Sequence, residues 1–127
     1  MVEHKHFIIR AEVESPFVDP EVAKDWLKRL VSNIGMLITP SGGPHVDYVS
    51  KPGNLGIASI VMIETSHCAM HIWDHFDPPL IQMDVYSCKD YDPQIILDML
   101  QEMKPIKIDW VLIDRSDMKI KSSSDLV

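Results

Sequence analysis

The sequence predicts an α+β fold, a two-layer α/β sandwich with two helices on one face of a mainly antiparallel sheet. Three observations support this prediction. Two segments carry apolar residues at helical spacing, and each begins with the pair Asp-Pro. Several short segments alternate apolar and polar residues or form apolar runs, as β-strands do. The order of the segments is strand, helix, several strands, helix, strand, which is typical of a sheet covered by helices on one side.

The first part of the chain supplies one strand and one helix. A strand is predicted over residues 6–13. Asp19 is a suitable N-cap and Pro20 suits the first helical position, so the first helix is expected to begin there. Gly35 is expected to end it. The apolar stripe of this helix is formed by Val22, Trp26, Leu27, Leu30 and Val31.

The middle of the chain consists of strand candidates. Short strands are predicted over 36–39 and 45–49, on either side of a Pro-Ser-Gly-Gly-Pro loop. The apolar run over 56–64 predicts a strand that is buried on both faces or lies centrally in the sheet. Further strands are predicted over 68–73 and 80–87.

The last part of the chain repeats the helix signal. Asp92-Pro93 predicts the start of the second helix, and Pro105 its end. The apolar face of this helix is formed by Ile95, Ile96, Met99, Leu100 and Met103. Alternation over 106–112 predicts a final strand. One domain is therefore expected over residues 1–120, followed by a polar tail, 121–127, that is predicted to be disordered.

Length and composition limit the classes of function that the sequence allows. The chain has 127 residues, of which 46% are hydrophobic and 24% charged, as expected for one globular domain. A formal net charge of −7 argues against nucleic-acid binding, which needs basic side chains against the phosphates. No apolar run is long enough for a membrane span, and the N-terminus lacks the features of a signal peptide, so a cytoplasmic protein is expected. Cys68 and Cys88 are expected to be reduced.

The segment Ile63 to His75, IETSHCAMHIWDH, concentrates side chains that carry chemistry. A metal site is one hypothesis, because His67, His71 and His75 would share a face of a helix or a strand, and a cysteine could join them. The apolar, β-branched context favours a strand. In a strand the first and third histidines would lie about 26 Å apart, so no metal site is predicted.

A hydrolase-type pair of nucleophile and histidine is a second hypothesis. Ser66 and His67 are adjacent, and adjacent side chains of a regular strand point to opposite faces. Ser66 would meet His71 only if the chain turned between them. No G-x-S-x-G motif is present. Any single histidine here is otherwise expected to be an ordinary polar residue at a strand end.

The third hypothesis comes from a resemblance. The order I-E-T-S-H-C-A-M-H-I-W, then M-D-V-Y-S-C, then Asp-Pro before a helix resembles the prokaryotic S-adenosylmethionine decarboxylases, over nearly the whole chain. That family has an E-S-H-x-x-x-H-x-W core and an acidic-apolar strand that ends in cysteine. The resemblance implies self-cleavage between Thr65 and Ser66. The hydroxyl of Ser66 would attack the preceding carbonyl, and elimination and hydrolysis would leave a pyruvoyl group at the new N-terminus.

The pyruvoyl group is the cofactor that the resemblance implies. Its ketone takes the substrate amine as a Schiff base and accepts the electrons that decarboxylation leaves behind. His71 would carry a proton during processing, and Cys88 would return a proton to the substrate carbon. Trp73 shares a strand face with His71 and would wall the substrate pocket. The resemblance also implies S-adenosylmethionine as a substrate, decarboxylated for spermidine synthesis, and a homodimer whose sites take residues from both halves.

Two positions near the cleavage site depart from the family. Thr65 stands where glutamate usually precedes the serine. Ala58 stands where the family has a serine that assists processing, and Ser59 would face the other way unless a bulge shifted the register. A homologue that does not cleave, and that binds S-adenosylmethionine or a protein partner, is therefore one alternative function.

A third departure concerns the substrate. His75 stands where the family has a glutamate that holds the ribose, and Asp74 or Asp77 would have to replace it. A pyruvoyl-dependent decarboxylase of ornithine or arginine is therefore a second alternative.

Overall fold

A computed structural model describes residues 3–125 as a seven-stranded sheet with two helices on one face. The strands are Lys5–Val13 (β1), His45–Val49 (β2), Gly56–Ile63 (β3), Ser66–Trp73 (β4), Leu80–Ser87 (β5), Pro105–Asp114 (β6) and Lys119–Ser122 (β7). The helices are Pro20–Asn33 (α1) and Pro93–Met99 (α2), and a 3₁₀ turn, Leu100–Met103, follows α2. Across the sheet the order is β2-β3-β4-β5-β1-β6-β7, and neighbouring strands are antiparallel. The predicted two-layer α+β fold is confirmed.

Both helix starts and the end of α1 follow the predicted signals, whereas α2 gives way to a 3₁₀ turn after Met99, before the predicted end at Pro105. The Asp19 side chain accepts a hydrogen bond from the Glu21 N–H at 2.9 Å, and Asp92 caps α2 in the same way. At the other end of α1, Gly35 has a φ of 79°. The Met36 N–H returns to the Val31 carbonyl at 3.0 Å, which closes the helix in the pattern that needs a left-handed residue.

The hydrophobic core lies between the helices and one face of the sheet. Alternate residues of β1, which are Phe7, Ile9, Ala11 and Val13, point into it. Trp26 of α1 is fully buried there, and its Nε1 donates to the Met99 carbonyl of α2 at 3.2 Å. The opposite face of the sheet carries no helix within residues 3–125, and we call it the open face. Successive side chains of a strand point to opposite faces, so the open face carries the strand residues that lie between the core residues.

Three predictions about strands need correction or refinement. Residues 36–39 form only an isolated bridge, Ile38 with Ile63, rather than a strand. β3 is an inner strand, but only one of its faces is buried, because Ile60 and Met62 on the open face are half exposed. β7 was not predicted at all.

The polar tail is ordered where the structure describes it, which contradicts the prediction of disorder for this part. Residues 119–122 pair with the edge of β6, and Ser123–Asp125 form a 3₁₀ turn. The Ser123 hydroxyl accepts the N–H of Trp110 at 3.1 Å. The physical reason is that an exposed strand edge offers unpaired backbone groups to any extended segment, whatever its side chains. Residues 126–127 lie outside the described residues, and the fold continues past residue 120.

Within residues 3–125, neither α1 nor α2 combines the length and the apolar character that a bilayer crossing requires.

Candidate active site

The predicted cleavage point lies at a strained hairpin turn. β3 and β4 are joined by Glu64 and Thr65, and Ile63 pairs with Ser66 across the turn. Ser66 has a φ of 150°, a region that residues with a side chain rarely adopt. Such a conformation costs about 1–3 kcal/mol and persists only where the surrounding structure imposes it. Backbone strain is therefore stored next to the Thr65–Ser66 peptide bond.

The carbonyl of that peptide bond is held by the end of β5. Ser66 is opposite Ser87 in the β4–β5 register, so the residue after β5 reaches the turn. The Cys88 N–H donates to the Thr65 carbonyl oxygen at 3.0 Å. The buried Ser87 hydroxyl donates to the Thr65 hydroxyl at 2.8 Å. The register thus places the predicted Cys88, whose side chain is partly buried, beside the predicted cleavage site.

The Ser66 hydroxyl lies against the neighbouring histidine. Its Oγ is 3.2 Å from Nδ1 of His67. The expectation that strand alternation separates these adjacent side chains is wrong for the hydroxyl and the imidazole, which lie within hydrogen-bond distance at the first residue of β4. The adjacency of serine and histidine in the sequence could have predicted this contact, but the alternation of side chains along a strand argued against it.

Behind His67 lies a carboxylate shared by two histidines. Nε2 of His67 and Nε2 of His6 each lie 2.8 Å from the same oxygen, Oδ2 of Asp84. The strand register explains the meeting, because Tyr86 of β5 is opposite both His6 of β1 and His67 of β4. Asp84 lies two positions along β5 on the same face. Sequence reasoning missed this trio, since only the strand order places its three strands side by side.

This trio has the donor set of a metal site. Its three ligand atoms lie within 4.8 Å of one another. Here each histidine is hydrogen-bonded to Asp84, and the histidines differ from those of the metal hypothesis, which combined His67 with His71 and His75. Cys68 is buried in the core, where burial raises the pKa of its thiol to about 12. A thiol of such high pKa is unsuited to act as a nucleophile at neutral pH, and the core side of β4 keeps it away from the trio.

His71 and Trp73 share the open face of β4, as predicted. Their rings stack at 4.1 Å between centroids, and Phe76 stacks on the other side of Trp73 at 5.9 Å. The buried Nε2 of His71 has no hydrogen-bond partner within residues 3–125. Desolvation lowers the pKa of this imidazole, so it is neutral near pH 7.

The structure does not bring Ser66 and His71 together within one chain. Both lie in β4, which runs without a turn from Ser66 to Trp73. Five steps along a strand separate them, or about 16 Å. Ala58 is directly opposite His71, as the register predicted. Ser59 faces the other side, where its hydroxyl donates to the Met70 carbonyl at 2.7 Å, and no bulge shifts it.

A groove of about 710 Å³ runs across the open face. His71 and Trp73 line one part of it, and His6 and Asp84 line another. Asp109 of β6 contributes a further carboxylate. A groove of this size suits a small-molecule ligand, and two of its residues belong to the trio that contacts Ser66 through His67.

The residues expected to replace the ribose-binding glutamate lie beyond the end of β4. The Asp74 carboxylate accepts a hydrogen bond from the Tyr48 hydroxyl at 2.9 Å, and this contact raises the pKa of Tyr48. His75 lies 3.3 Å from Asp74, and its side chain is 65% exposed. Asp74 therefore already has a hydrogen-bond partner of its own.

Comparison with known proteins places the chain. The family model described as S-adenosylmethionine decarboxylase matches residues 10–116. The arginine decarboxylase proenzyme of Aeropyrum pernix is 35% identical over 85 residues, which span 62% of this chain and 63% of that protein. The crystal structure of the adenosylmethionine decarboxylase from Aquifex aeolicus has the same fold, with a TM-score of 0.69 at 21% identity over 89% of this chain and 90% of that chain. This protein belongs to the S-adenosylmethionine decarboxylase family.

Proposed function

We propose that this protein is a proenzyme that cleaves itself between Thr65 and Ser66 and thereby becomes a pyruvoyl-dependent decarboxylase. The observation that carries the proposal is the geometry of that peptide bond. Its carbonyl accepts the Cys88 N–H, and the hydroxyl that would attack it lies against His67. The backbone of Ser66 is strained at the same place.

These contacts suit an acyl shift from nitrogen to oxygen. When the Ser66 hydroxyl oxygen attacks the Thr65 carbonyl carbon, negative charge develops on the carbonyl oxygen. The Cys88 N–H is already aimed at that oxygen, and a donor fixed in advance stabilises the charge without reorganisation. Conversion of the peptide to an ester also releases the constraint on φ of Ser66, so the strain favours the forward direction.

The surroundings of residue 66 suit the group that processing would generate. A pyruvoyl group would supply the electron sink that decarboxylation needs. The Cys88 thiol belongs to the residue that holds the Thr65 carbonyl, which supports the proposal that it returns a proton to the substrate carbon. Trp73 and His71 offer a flat aromatic wall, but they lie about 16 Å or more along β4 from Ser66, so they would reach the substrate there only from a second chain.

A homodimer would complete the site. His71 is too far along β4 to act on Ser66 of its own chain, and its buried Nε2, on the open face of the sheet, has no hydrogen-bond partner within residues 3–125. Two open faces packed together would bring His71 of one chain towards Ser66 of the other. Exposed apolar side chains on that face, such as Ile60 and Met62, support such an association.

S-adenosylmethionine is the first candidate substrate, decarboxylated to the aminopropyl donor of spermidine synthesis, because the family model carries that name. Arginine is the second candidate. It is favoured by the name of the Aeropyrum pernix relative and by the exposed His75, which replaces the expected ribose-binding glutamate. Both substrates are amino acids with a positive charge in the side chain, which suits a groove that contains Asp109.

Intact mass of the denatured protein tests self-cleavage. We expect two fragments, residues 1–65 and 66–127, the second with the mass of an N-terminal pyruvoyl group. Ser66→Ala should stay a single chain. Ser59→Ala is the matched control, because it removes a hydroxyl that points away from His71 and should leave cleavage intact. An uncut wild-type chain after long incubation would instead favour a non-processing homologue, and Ala58→Ser would be the next variant.

Release of CO2 tests the substrate. The processed protein would be incubated separately with S-adenosylmethionine, arginine and ornithine labelled in the carboxyl group. A clear preference for S-adenosylmethionine supports the first candidate, and a preference for arginine supports the second. Processed protein that releases CO2 from none of the three would contradict both.

A further inference from the structure

We propose that His67, held by Asp84, is the base that takes the hydroxyl proton of Ser66 in the first step of self-cleavage. This inference rests on the proposed function and deepens it. The resemblance to the family assigns a processing role to His71, which cannot reach Ser66 in the same chain, and assigns none to His67. The contacts of His67 are present within the single chain that must cleave itself.

The proposed role of His67 depends on which of its two ring nitrogens carries the proton. An ionised carboxylate can only accept hydrogen bonds, so the Nε2 of His67 must donate to Asp84. A neutral imidazole has one N–H, and its other nitrogen is then an acceptor. That nitrogen is Nδ1, which lies 3.2 Å from the Ser66 hydroxyl. Asp84 therefore leaves a lone pair pointing at the proton that must be removed.

The same carboxylate stabilises the product of the proton transfer. Once His67 is positively charged, it lies 2.8 Å from the negative Asp84. His6 donates to the same oxygen from the other side and fixes the carboxylate between two strands. His6 has no hydrogen bond to Ser66, so it supports Asp84 without taking part in the proton transfer. The arrangement has the logic of a serine–histidine–aspartate triad with the two imidazole nitrogens exchanged.

The step balances within these residues. The Ser66 hydroxyl proton passes to Nδ1 of His67 while the oxygen forms a bond to the Thr65 carbonyl carbon. The carbonyl electron pair moves onto its oxygen, where the Cys88 N–H holds it. When that pair returns, the bond from carbon to the Ser66 nitrogen breaks, and the nitrogen takes the proton back from His67. An ester and a free amine result, and no other reactant is consumed.

The test compares His67→Ala with His6→Ala, since each removes one histidine from the same carboxylate. Cleavage would be followed by mass from the moment of cell-free synthesis. General bases contribute about 10²–10⁴-fold, so we expect His67→Ala to slow cleavage by about 100-fold or more. His6→Ala should slow it by less than about 10-fold. Asp84→Asn keeps the volume of the side chain and should approach the His67→Ala rate, because its amide can donate to Nε2 and reverse the tautomer.

Added imidazole separates a base from a structural support. It should restore part of the cleavage of His67→Ala by occupying the vacated space, and it should not change His6→Ala. Hydroxylamine, which cleaves esters, should release no fragments from uncut His67→Ala, because the block precedes the ester. Wild-type cleavage should be unaffected by a chelator.

The outcomes distinguish this inference from the proposed function. A wild-type chain that never cleaves overturns the proposed function. A wild-type chain that cleaves while His67→Ala cleaves equally fast overturns only the role of His67. Equal slowing of both alanine variants without rescue by imidazole, or fragments released by hydroxylamine, would also overturn that role. Loss of wild-type cleavage with chelator would assign the trio to a metal ion instead.

Discussion

Ser66 illustrates at the scale of one residue how a strand can prepare a chemical step. Its φ of 150° strains the backbone where the Thr65–Ser66 peptide bond joins β4, and its hydroxyl lies against His67. A strain of about 1–3 kcal/mol is small compared with the stability of a domain, so the fold tolerates it. The strain is lost when the peptide bond is converted to an ester, which makes it useful in one direction only.

The proposed function gives Cys88 two separable roles, one for its backbone and one for its thiol. Cys88→Ala keeps the N–H that holds the Thr65 carbonyl, so we expect normal self-cleavage and a large loss of CO2 release. Cys88→Pro removes the N–H, and loss of one such donor costs about 10²–10³-fold, so we expect slow self-cleavage. Intact mass and CO2 release measure the two effects.

The comparison of these two variants is informative only if both fold. Far-ultraviolet circular dichroism and a urea midpoint would establish that. Cleavage of Cys88→Pro at the rate of Cys88→Ala would show that the N–H does not stabilise the attacked carbonyl.

At the scale of elements, the β3–β4 hairpin depends on close backbone approach at its open end. Gly56 begins β3 with a φ of 143°, opposite Trp73. A Cβ added there would overlap the carbonyl oxygen of Ile72. Glycine at position 56 therefore allows the start of β3 to pair with the end of β4. This pairing sets the register that places Ala58 opposite His71 and Ser66 next to the turn.

We expect Gly56→Ala to destabilise the protein by about 2 kcal/mol or more, because a strained φ and a backbone overlap add together. Gly53→Ala is the matched control. Its φ of 82° is also positive, but nothing lies within 4 Å of an added Cβ. Urea unfolding would be measured in a Ser66→Ala background, which keeps a single chain. Equal losses for the two variants would mean that the overlap at Gly56 is relieved by movement of the strands.

At the scale of the whole molecule, the sheet is covered on one face and open on the other. The helices bury alternate residues of β1, β3, β4 and β5, and the polar trio, His71 and Trp73 lie on the opposite face. All the groups that the proposed function uses, apart from the turn itself and Cys88, are therefore on the face that a second copy would cover. The residues that face the core therefore stabilise the fold, and the residues of the open face supply side chains that the proposed function uses.

A mixed dimer tests whether two chains share a site. Co-expression of Ser66→Ala with His71→Ala would create one interface in which His71 of the first chain meets Ser66 of the second. We expect Ser66→Ala alone to stay uncut, His71→Ala alone to cleave poorly, and the His71→Ala chain to cleave in the mixture. Mass identifies the cut chain. Absence of cleavage in a mixture shown to contain the mixed dimer would contradict a shared site, and efficient cleavage of His71→Ala alone would show that His71 is not required.

The sequence by itself determined both helices and most of the strands of this protein, the starts of its helices and its family. Asp19, Gly35 and Asp92 act on backbone groups a few positions away, so their effects can be read locally. The order of serine, histidine, tryptophan and cysteine could likewise be recognised in the sequence as a motif.

Only the tertiary structure decided which of these residues meet. His6, His67 and Asp84 come together because β1 and β4 both pair with β5, and Cys88 reaches Thr65 through the register of β4 and β5. Pairing between strands that are distant in sequence depends on packing of the whole sheet, not on local preference. The tail that forms β7 was missed for the same reason, since the edge of β6, and not the composition of the tail, orders it.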